Sequence, residues 1–308
     1  MSLDRIRLAS LHGKVISAED ASAFIEDGMT VGMSGFTRAG EAKAVPLALV
    51  KRAHTNPLKI TLITGASLGN DLDKKLVEAG VLARRLPFQV DNTLRKAINK
   101  GEVMFIDQHL SETVEQMRNQ QLKKPDIAII EAVAITEDGG IIPTTSVGNS
   151  ASFAIFAEKV IVEINTNLSP AFEGLHDIYI PSYRPTRQPI PLTEVDQRIG
   201  TQAINIDPSK IVGIVINNEF HDSPSTVTEP DDETQGIANH LIAFFEKEVA
   251  EERLPKNLGP LQAGIGSIAN AVLTGLKDSN FEDLIMYSEV LQDCTFELID
   301  AGKMKFAS

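Results

Sequence analysis

The chain has 308 residues and a formal net charge of −13 at pH 7. This charge disfavours binding to nucleic-acid phosphates or to an anionic membrane, and no apolar segment approaches the length of a membrane span. The one cysteine, Cys294, excludes an internal disulfide, and the isolated His109, His176 and His221 show no metal-ligand spacing. We therefore expect a cytoplasmic protein of about two domains that binds no metal, nucleic acid or membrane.

Short runs rich in β-branched residues predict strands at Thr30–Met33, Ile60–Thr64, 103–106 and 127–130. The segments between them have a helical pattern of apolar residues. Because strands that alternate with helices are typical of βαβ units, we expect an α/β fold with a mainly parallel sheet flanked by helices.

Local signals mark two helix starts and one hairpin. Ser17 and Asp20 have the spacing of a capping box, and Pro46 indicates the first turn of a helix that continues to residue 53. Residues 137–140 (EDGG) separate two apolar runs and predict a tight turn between antiparallel strands. The sheet is therefore expected to be mixed.

Residues 169–191 contain five prolines with little periodicity and predict an ordered but irregular segment. A strand over 211–216 and a helix over 233–252 are predicted on either side of an acidic, proline-containing stretch. We place a domain boundary in this stretch, with a first α/β domain at 1–225 and a second that begins in 226–308.

The last residues predict two strands, 295–299 and 303–307, around a turn at 300–302. Cys294, directly before the first strand, is expected to be a buried, inert thiol. The second strand would leave an exposed sheet edge, which folded domains normally pair or cover. We interpret residues 226–308 as the beginning of a domain whose remainder is absent, and favour a fragment over a natural truncation.

A glycine-rich turn, Gly264-Ile265-Gly266, begins a helical apolar pattern over 265–276. The two glycines allow close approach and positive φ, so backbone N–H groups at the helix start would be available to an oxyanion or phosphate. For this motif alone, the alternative is a tight strand-to-helix turn whose glycines serve only packing.

Glu289 comes at the end of an apolar run that predicts a buried strand, a position at which α/β sheets collect their ligands. Its neighbours Met286, Val290 and Leu291 would partly desolvate the carboxylate and increase its nucleophilicity. The alternative is a glutamate that caps backbone groups or pairs with a basic residue.

Other polar residues give weaker signals. Arg184 and Arg187 could meet a carboxylate or phosphate, although a solvated pair in an irregular loop is more common. No Gly-x-Ser-x-Gly elbow surrounds Ser146, Ser150 or Ser152, so a serine hydrolase is disfavoured.

Several motifs occur in one order along the chain. The sequence GIGSIANA at 264–271 is followed by YSEVLQD at 287–293, and upstream come SGFT at 34–37, GASLGN at 65–70, GNS at 148–150 and RQPIP at 187–191. Together they resemble the acetyl-CoA hydrolase/transferase family, a group of class I CoA-transferases. The resemblance covers essentially the whole chain and implies the CoA-transferase fold.

The resemblance implies transfer of CoA between small carboxylates, with acetyl-CoA or propionyl-CoA and succinate or acetate as substrates. Glu289 would attack the acyl-CoA thioester and carry a glutamyl-CoA thioester, while the backbone amide of Ile265 would stabilise the oxyanion. Ser67 would position the small carboxylate, with a cap on a helix near Asp71 as its alternative role. The residues that match the CoA-binding segment are Gly259, Pro260, Leu261, Gln262, Ala263, Gly264 and Gly266.

Members of this family are usually longer than the chain, and their further part supplies another oxyanion-hole amide and most contacts to the nucleotide end of CoA. A truncated, non-catalytic CoA-binding module is therefore one alternative function. Acetyl-CoA hydrolysis by the same carboxylate, in which water instead of a second carboxylate resolves the intermediate, is another. CoA or acyl-CoA is expected as a substrate, with no permanently bound cofactor. The resemblance also implies a homodimer.

Overall fold

The chain divides into two units in the computed structural model, which describes residues 3–222 and 230–308. The first unit contains the described residues within Met1–Gln188 and Gly200–Ser223, and the second those within Pro189–Ile199 and Pro224–Ser308. The predicted boundary between residues 225 and 226 lies outside the described residues. The division into 1–225 and 226–308 stays a prediction.

The first unit is built on an eight-stranded sheet in which β4-β3-β2-β1-β5-β7-β8 are parallel neighbours and β6 pairs antiparallel with β5. The mixed, mainly parallel sheet is confirmed. The strands are β1 (Thr30–Met33), β2 (Ile60–Thr64), β3 (Leu82–Leu86), β4 (Met104–Phe105), β5 (Ile127–Ile135), β6 (Ile141–Pro143), β7 (Lys159–Asn165) and β8 (Ile211–Asn217).

Helices flank this sheet, and their starts follow the local sequence signals. Ser17 caps the first helix because its Oγ accepts a hydrogen bond from Asp20 N at 3.0 Å, as predicted. Pro46 lies in the first turn of the second helix, also as predicted. The helices are α1 (Ala18–Ala23), α2 (Ala44–Ala53), α3 (Leu72–Glu78), α4 (Asn92–Asn99), α5 (Leu110–Arg118) and α6 (Ser150–Phe156).

The predicted hairpin joins β5 to β6. Gly139 has φ +91° in the turn, and an added Cβ would collide with Pro208, so this position requires glycine. Beyond β7, the proline-rich residues 169–191 contain the short 3₁₀ turn Pro170–Phe172 and an isolated bridge from Ile178 to Thr201, but no α-helix or strand, which confirms the irregular segment.

Alternate residues of β5 face two apolar clusters on opposite sides of the sheet. Ile127 and Ile129 belong to one cluster, whereas Ala128 and Ile130 belong to the other. All nine residues of β5 are buried, since a strand covered by helices on both faces has no solvent side.

The second unit has a three-stranded parallel sheet in the order β11-β10-β9. Its core includes Leu273, Leu276, Leu284 and Leu298. None of the helices among the described residues is both long and apolar enough to span a membrane. The elements are α7 (Asp232–Ala250), β9 (Pro260–Leu261), α8 (Ser267–Asp278), β10 (Leu284–Met286), α9 (Asp293–Asp300) and β11 (Met304–Ala307).

The predicted strand at 295–299 is wrong, because these residues lie in α9. Cys294, Thr295 and Leu298 are its buried residues, and this spacing places them on one face of a helix. The parallel pairing of β10 with β11 also requires a crossover, which α9 provides. Cys294 is a buried free thiol, as predicted, but it lies in a helix.

Candidate active site

Two loops of the second unit leave the same edge of its sheet. Because β9 and β10 are neighbouring parallel strands, the residues that follow them emerge side by side. The first loop, 262–266, carries the glycine-rich turn, and the second, 287–292, carries Glu289. The strand pairing continues into the loops, where Tyr287 N donates to Leu261 O at 2.9 Å.

Side chains on both sides of Glu289 fasten the second loop to the first. Ser288 Oγ donates to Ala263 O at 3.1 Å, and Gln292 Nε2 donates to Gly264 O at 2.9 Å. Gly266 N lies 3.4 Å from Gln292 Oε1. These contacts set the position of the Glu289 loop relative to the glycine-rich turn.

Glu289 is exposed in a bend after β10 and makes no hydrogen bond or ion pair within the described part of the chain. The expected partial desolvation by its apolar neighbours is therefore wrong for this structure. Met286 belongs to the core of the second unit, and Leu291 packs against that core, so these side chains are directed away from the carboxylate. The alternatives of a backbone cap or an ion pair are not observed either.

The glycine-rich turn ends at Gly266, which caps α8 with φ +137° and ψ 172°. An added Cβ at Gly264 or Gly266 would meet no atom within 4 Å, so the outer side of the turn is open. Ile265 is 64% exposed, and its backbone N–H has no hydrogen-bond partner among the described residues. A free amide beside a helix start can bind an oxyanion.

The segment expected to bind CoA runs along β9 into this turn. Pro260 and Gln262 are exposed, whereas Gly259, Leu261 and Ala263 are half-buried. Gly259 has φ +76°, which glycine adopts at low cost. The predicted site residues of the second unit are thus brought together at one sheet edge.

Ser67 belongs to the first unit, in the loop after β2. Its carbonyl oxygen accepts a hydrogen bond from Arg38 N at 3.1 Å, and the residue is buried. No hydrogen bond joins its hydroxyl to α3 in the described ranges, so the alternative role as a helix cap is wrong. The hydroxyl is left available to another partner.

Sequence reasoning missed a buried charged cluster at the carboxyl edge of the large sheet. Lys43 Nζ lies 2.6 Å from Glu131 Oε1 and 2.8 Å from Asp222 Oδ1. Glu131 also accepts hydrogen bonds from Thr144 Oγ1 at 2.6 Å and Asn165 Nδ2 at 2.9 Å. Each of these groups therefore has a partner that compensates for its loss of water.

Glu163 holds the start of α2 within this cluster. Its Oε1 accepts from the backbone N–H groups of Lys43 and Ala44, both at 2.9 Å, and its Oε2 from Val45 N at 3.1 Å. A carboxylate at a helix amino terminus satisfies free N–H groups and interacts favourably with the helix dipole. The backbone N–H of Lys43 thus binds Glu163, whereas its side-chain ammonium binds Glu131.

Burial shifts the proton equilibria of the cluster. Desolvation raises the pKa of Glu131 to about 7, despite opposing interactions with Lys43 and Thr144. Desolvation likewise raises the pKa values of Glu41 and Glu163. For Lys43, burial lowers the pKa, but attraction to Glu131, Asp222 and Glu41 outweighs it and the net pKa is raised. Lys43 therefore keeps its proton at neutral pH.

One sequence signal could have revealed this cluster. Glu131 is the one charged residue among the nine of β5, whose other eight are apolar, and Glu163 interrupts the apolar run of β7. A glutamate in the middle of a strand that is buried on both faces requires a buried partner.

The three histidines considered in the sequence analysis make contacts with nearby polar groups. His109 Nδ1 lies 2.8 Å from Ser111 Oγ, and His176 Nε2 lies 2.9 Å from Thr144 O. His221 contributes its carbonyl oxygen to Asn70 Nδ2 at 3.0 Å.

The expectation of a solvated arginine pair is only half right. Arg184 is exposed, as expected, but Arg187 is half-buried and its Nη1 lies 2.9 Å from Glu115 Oε1. The irregular segment folds back onto α5, which brings Arg187 to this glutamate.

Comparison with known proteins identifies relatives of the whole chain. Residues 3–216 match the family of acetyl-CoA hydrolase/transferase N-terminal domains. A succinyl-CoA:acetate CoA-transferase of Clostridium kluyveri is 46% identical over 306 residues, which are 99% of this chain and 57% of that protein. An acetyl-CoA hydrolase of Kluyveromyces lactis is 44% identical over 316 residues, covering 99% of this chain and 60% of that protein. The chain thus spans less than two thirds of these relatives.

Solved structures share the fold at lower identity. RipA from Yersinia pestis superposes with a TM-score of 0.68 at 19% identity, over 95% of this chain and 60% of that one. A 4-hydroxybutyrate CoA-transferase from Porphyromonas gingivalis gives a TM-score of 0.59 at 18% identity, over 96% of this chain and 59% of that one. The fold is therefore of the CoA-transferase type.

Proposed function

The chain belongs to the acetyl-CoA hydrolase/transferase family, a family of enzymes that act on CoA thioesters, and from this premise we propose a specific activity. The protein transfers CoA between small carboxylates, with acetyl-CoA or propionyl-CoA and succinate or acetate as substrates. Glu289 is the nucleophile. The observation that carries this proposal is its free, exposed carboxylate beside the open turn at Gly264-Ile265-Gly266.

The reaction proceeds by exchange of acyl partners on Glu289. Its carboxylate oxygen attacks the thioester carbonyl carbon and the C–S bond breaks. CoA leaves as a thiolate, and the acyl group stays on Glu289 as a mixed anhydride. The thiolate then attacks the Glu289 carbonyl carbon, which releases the first acyl group as a carboxylate and forms the glutamyl-CoA thioester. The acceptor carboxylate takes the CoA by the same two steps in reverse.

Each attack places negative charge on a carbonyl oxygen. The free N–H of Ile265 is the donor proposed to stabilise that oxygen, since a fixed donor that meets developing charge lowers the barrier. Gln292 holds Gly264 and Gly266 on either side of this N–H. Residues 259–263 are proposed to line the CoA site, and Ser67 to bind the small carboxylate.

Acetyl-CoA hydrolysis is the second candidate, and the exposure of Glu289 favours it because water reaches the same carboxylate. Acetyl-CoA consumption by the protein, measured with and without succinate, separates the two. Transfer predicts succinyl-CoA formation and slow thioester loss without an acceptor. An equal rate of thioester loss without succinate would overturn the transferase proposal.

Covalent participation of Glu289 is tested separately. After incubation with acetyl-CoA and then borohydride, we expect a reduced residue at position 289 in the peptide mass spectrum. Glu289→Gln should abolish turnover while the fold is kept, and Glu282→Gln, at another exposed glutamate of the second unit, should leave turnover unchanged. An unmodified Glu289 peptide together with full activity of Glu289→Gln would favour a different nucleophile. No turnover by either protein, with CoA binding retained, would indicate a non-catalytic CoA-binding module.

The proposed dimer follows the family resemblance, and the proposed location follows the cysteine usage. A cytoplasmic homodimer with no permanently bound cofactor is proposed, and light scattering coupled to size exclusion would measure its mass. A monomeric mass at micromolar concentration would contradict the dimer.

A further inference from the structure

Two loops meet at the carboxyl edge of the large sheet, where the parallel strands β1 and β2 end side by side. The first, residues 34–43, leads from β1 to α2, and the second, residues 65–70, contains Ser67 and is called the Ser67 loop below. The direction of the strand order reverses at β1, because β2 lies on one side of it and β5 on the other. Ligands of open α/β sheets bind outside such a reversal, so this edge suits a substrate.

The backbone of the Ser67 loop is held from two sides. The carbonyl oxygen of Ala66 accepts hydrogen bonds from Thr64 Oγ1 at 2.6 Å and Arg85 Nη2 at 3.3 Å. The carbonyl oxygen of Ser67 accepts one from Arg38 N at 3.1 Å. The Ser67 hydroxyl, by contrast, makes no hydrogen bond with the described residues. A fixed loop therefore presents one unused hydroxyl.

Glu41, from the first loop, holds the far end of the Ser67 loop. Its Oε1 accepts a hydrogen bond from Asn70 Nδ2 at 2.8 Å. A Cβ added to Gly69 would collide with Glu41 Oε1, and one added to Gly35 would lie 2.8 Å from Glu41 Cβ and 3.0 Å from Leu68 Cδ2. Glycine at both positions therefore allows the Glu41 side chain to pack directly against the Ser67 loop.

The Asn70 amide is the one hydrogen-bond donor to the Glu41 carboxylate within the described ranges. Glu41 is fully buried, and its Oε2 has no partner there. A single hydrogen bond compensates little of the cost of burying a carboxylate. Desolvation raises the pKa of Glu41, and Asp222 adds to this effect, despite the opposing attraction to Lys43. The raised pKa favours a neutral Glu41, which would not repel an anionic substrate at Ser67.

Both loops contain non-glycine residues in the left-handed backbone region. Thr37 and Arg38 have φ of +48° and +69° in the first loop, and Asn70 and Asp71 have φ of +55° and +53° at the end of the second. Asparagine tolerates this region, but a β-branched threonine rarely enters it, and the cost for an ordinary residue is about 1–2 kcal/mol. Strained loops keep their shape only while surrounding contacts hold them. Loss of the contact between Glu41 and Asn70 should therefore let the Ser67 loop relax.

We propose that Glu41 and Asn70 are positioning residues, which hold the Ser67 hydroxyl where the small carboxylate binds. The inference rests on the proposed function and deepens it. Neither residue contacts the substrate; they act through the loop that does. The residues proposed to bind CoA belong to the second unit, so the pair serves the carboxylate and not CoA.

A reporter thiol tests the loop without any turnover. The one native cysteine, Cys294, is buried, so Ser67→Cys introduces a thiol whose modification by iodoacetamide is located by peptide mass. Adding Asn70→Gly should raise the modification rate at position 67 several-fold, because the relaxed loop opens. Glycine keeps the positive φ at position 70 without strain, so only side-chain contacts are removed. Asn56→Gly, at an exposed asparagine after α2, is the matched control and should leave the rate unchanged.

Kinetics of CoA transfer from acetyl-CoA to succinate test the effect on the substrate. Asn70→Gly and Glu41→Ala should each lower kcat/KM for succinate by about tenfold or more, as displacement of a binding group does. Glu41→Gln keeps the acceptor oxygen for Asn70 and should retain most of the wild-type value. The Kd for CoA, measured by isothermal titration, should be the same in all these variants. If Glu41→Ala does not fold, Asn70→Gly and Glu41→Gln still give the comparison.

Equal modification rates with and without Asn70→Gly would overturn the inference, as would an unchanged kcat/KM for succinate in Asn70→Gly. A parallel loss of CoA affinity would indicate general damage to the fold and would also count against it. Failure of the proposed function has a different signature. Full activity of Ser67→Ala would remove the role of Ser67 in the reaction, and absence of transfer by the wild type would remove the reaction itself, whereas the modification rates would be unaffected by either.

Discussion

Lys43 and Glu131 form an ion pair of 2.6 Å in which both side chains are fully shielded from solvent. They come from the start of α2 and the middle of β5, 88 residues apart in the chain. A buried ion pair is expensive to break, because the remaining charge keeps its desolvation cost and loses its partner.

Lys43→Met should therefore destabilise the first unit by about 3–5 kcal/mol, the usual cost of removing one member of a buried pair. Urea unfolding monitored by circular dichroism measures the change. Lys51→Met is the matched control, because Lys51 and its partner Glu19 are mostly exposed and such pairs contribute little. Similar stabilities of the two variants would show that the buried pair is not a stabilising element.

The raised pKa of Glu131 predicts a pH dependence. The folded pKa is about 7 and the ordinary value is 4.5, so between these values the folded protein binds more protons than the unfolded chain. The contribution of Glu131 to stability is therefore fully present below pH 4.5 and is lost as the pH rises through 7. The raised pKa of Lys43 does not oppose the trend, since its charge is unchanged in this window in both states.

Glu131→Gln removes the titrating group and keeps its shape. The free energy of unfolding of the wild type, relative to this variant, should decrease between pH 5 and pH 8. Glu137→Gln, on the exposed hairpin turn, should leave the wild-type dependence intact. A constant difference between wild type and Glu131→Gln across this range would contradict the raised pKa.

Gly266 should not tolerate a side chain, although space is available for one. Its φ of +137° and ψ of 172° fall in a region that is essentially restricted to glycine, and other residues there cost about 1–3 kcal/mol. Gly266→Ala should lower stability by this amount and disturb the turn. Gly264→Ala should cost less, because Gly264 does not have positive φ and is equally open. Thermal unfolding measures the stability of both variants. A larger loss of stability in Gly264→Ala than in Gly266→Ala would contradict this prediction.

Gln292→Ala should separate catalysis from stability. It removes the two contacts of Gln292 with Gly264 and Gly266, while the contact of Ser288 with Ala263 and the pairing of the strands beneath remain. If the Ile265 amide serves the reaction, kcat should fall by about tenfold or more, in line with the loss of an oriented donor. Gln235→Ala on α7, which removes only a surface contact to Asn239, should leave kcat unchanged. An equal loss of kcat in both variants would exclude a catalytic role of the contacts between Gln292 and the glycine-rich turn.

The sequence predicted those features that depend on nearby residues. The Ser17 cap and the hairpin turn at Gly139 are local, and β1 and β2 have their predicted bounds because β-branched runs are flanked by clear breaks. The meeting of the turn at Gly264 with the Glu289 loop was also predictable, because the carboxyl ends of parallel strands share one edge.

Features that depend on distant partners were not predictable. β3 contains Arg85, a residue type that is mostly exposed in proteins. It is buried here because its guanidinium pairs with Asp73 at 2.8 Å and donates to the carbonyl oxygens of Ala66 and Leu86. The exposure of Glu289 was missed because its apolar neighbours in sequence face the core. An apolar run such as 295–299 fits a strand or a helix until its crossover is known.

The burial of Lys43 also has a chemical consequence. An amine-reactive reagent modifies exposed lysines at once, but it reaches Lys43 only when the first unit opens around the start of α2. The rate at which the Lys43 amine is acetylated therefore reports how often this part of the first unit opens. Such a probe is useful because the chain contains no tryptophan whose fluorescence could report the opening.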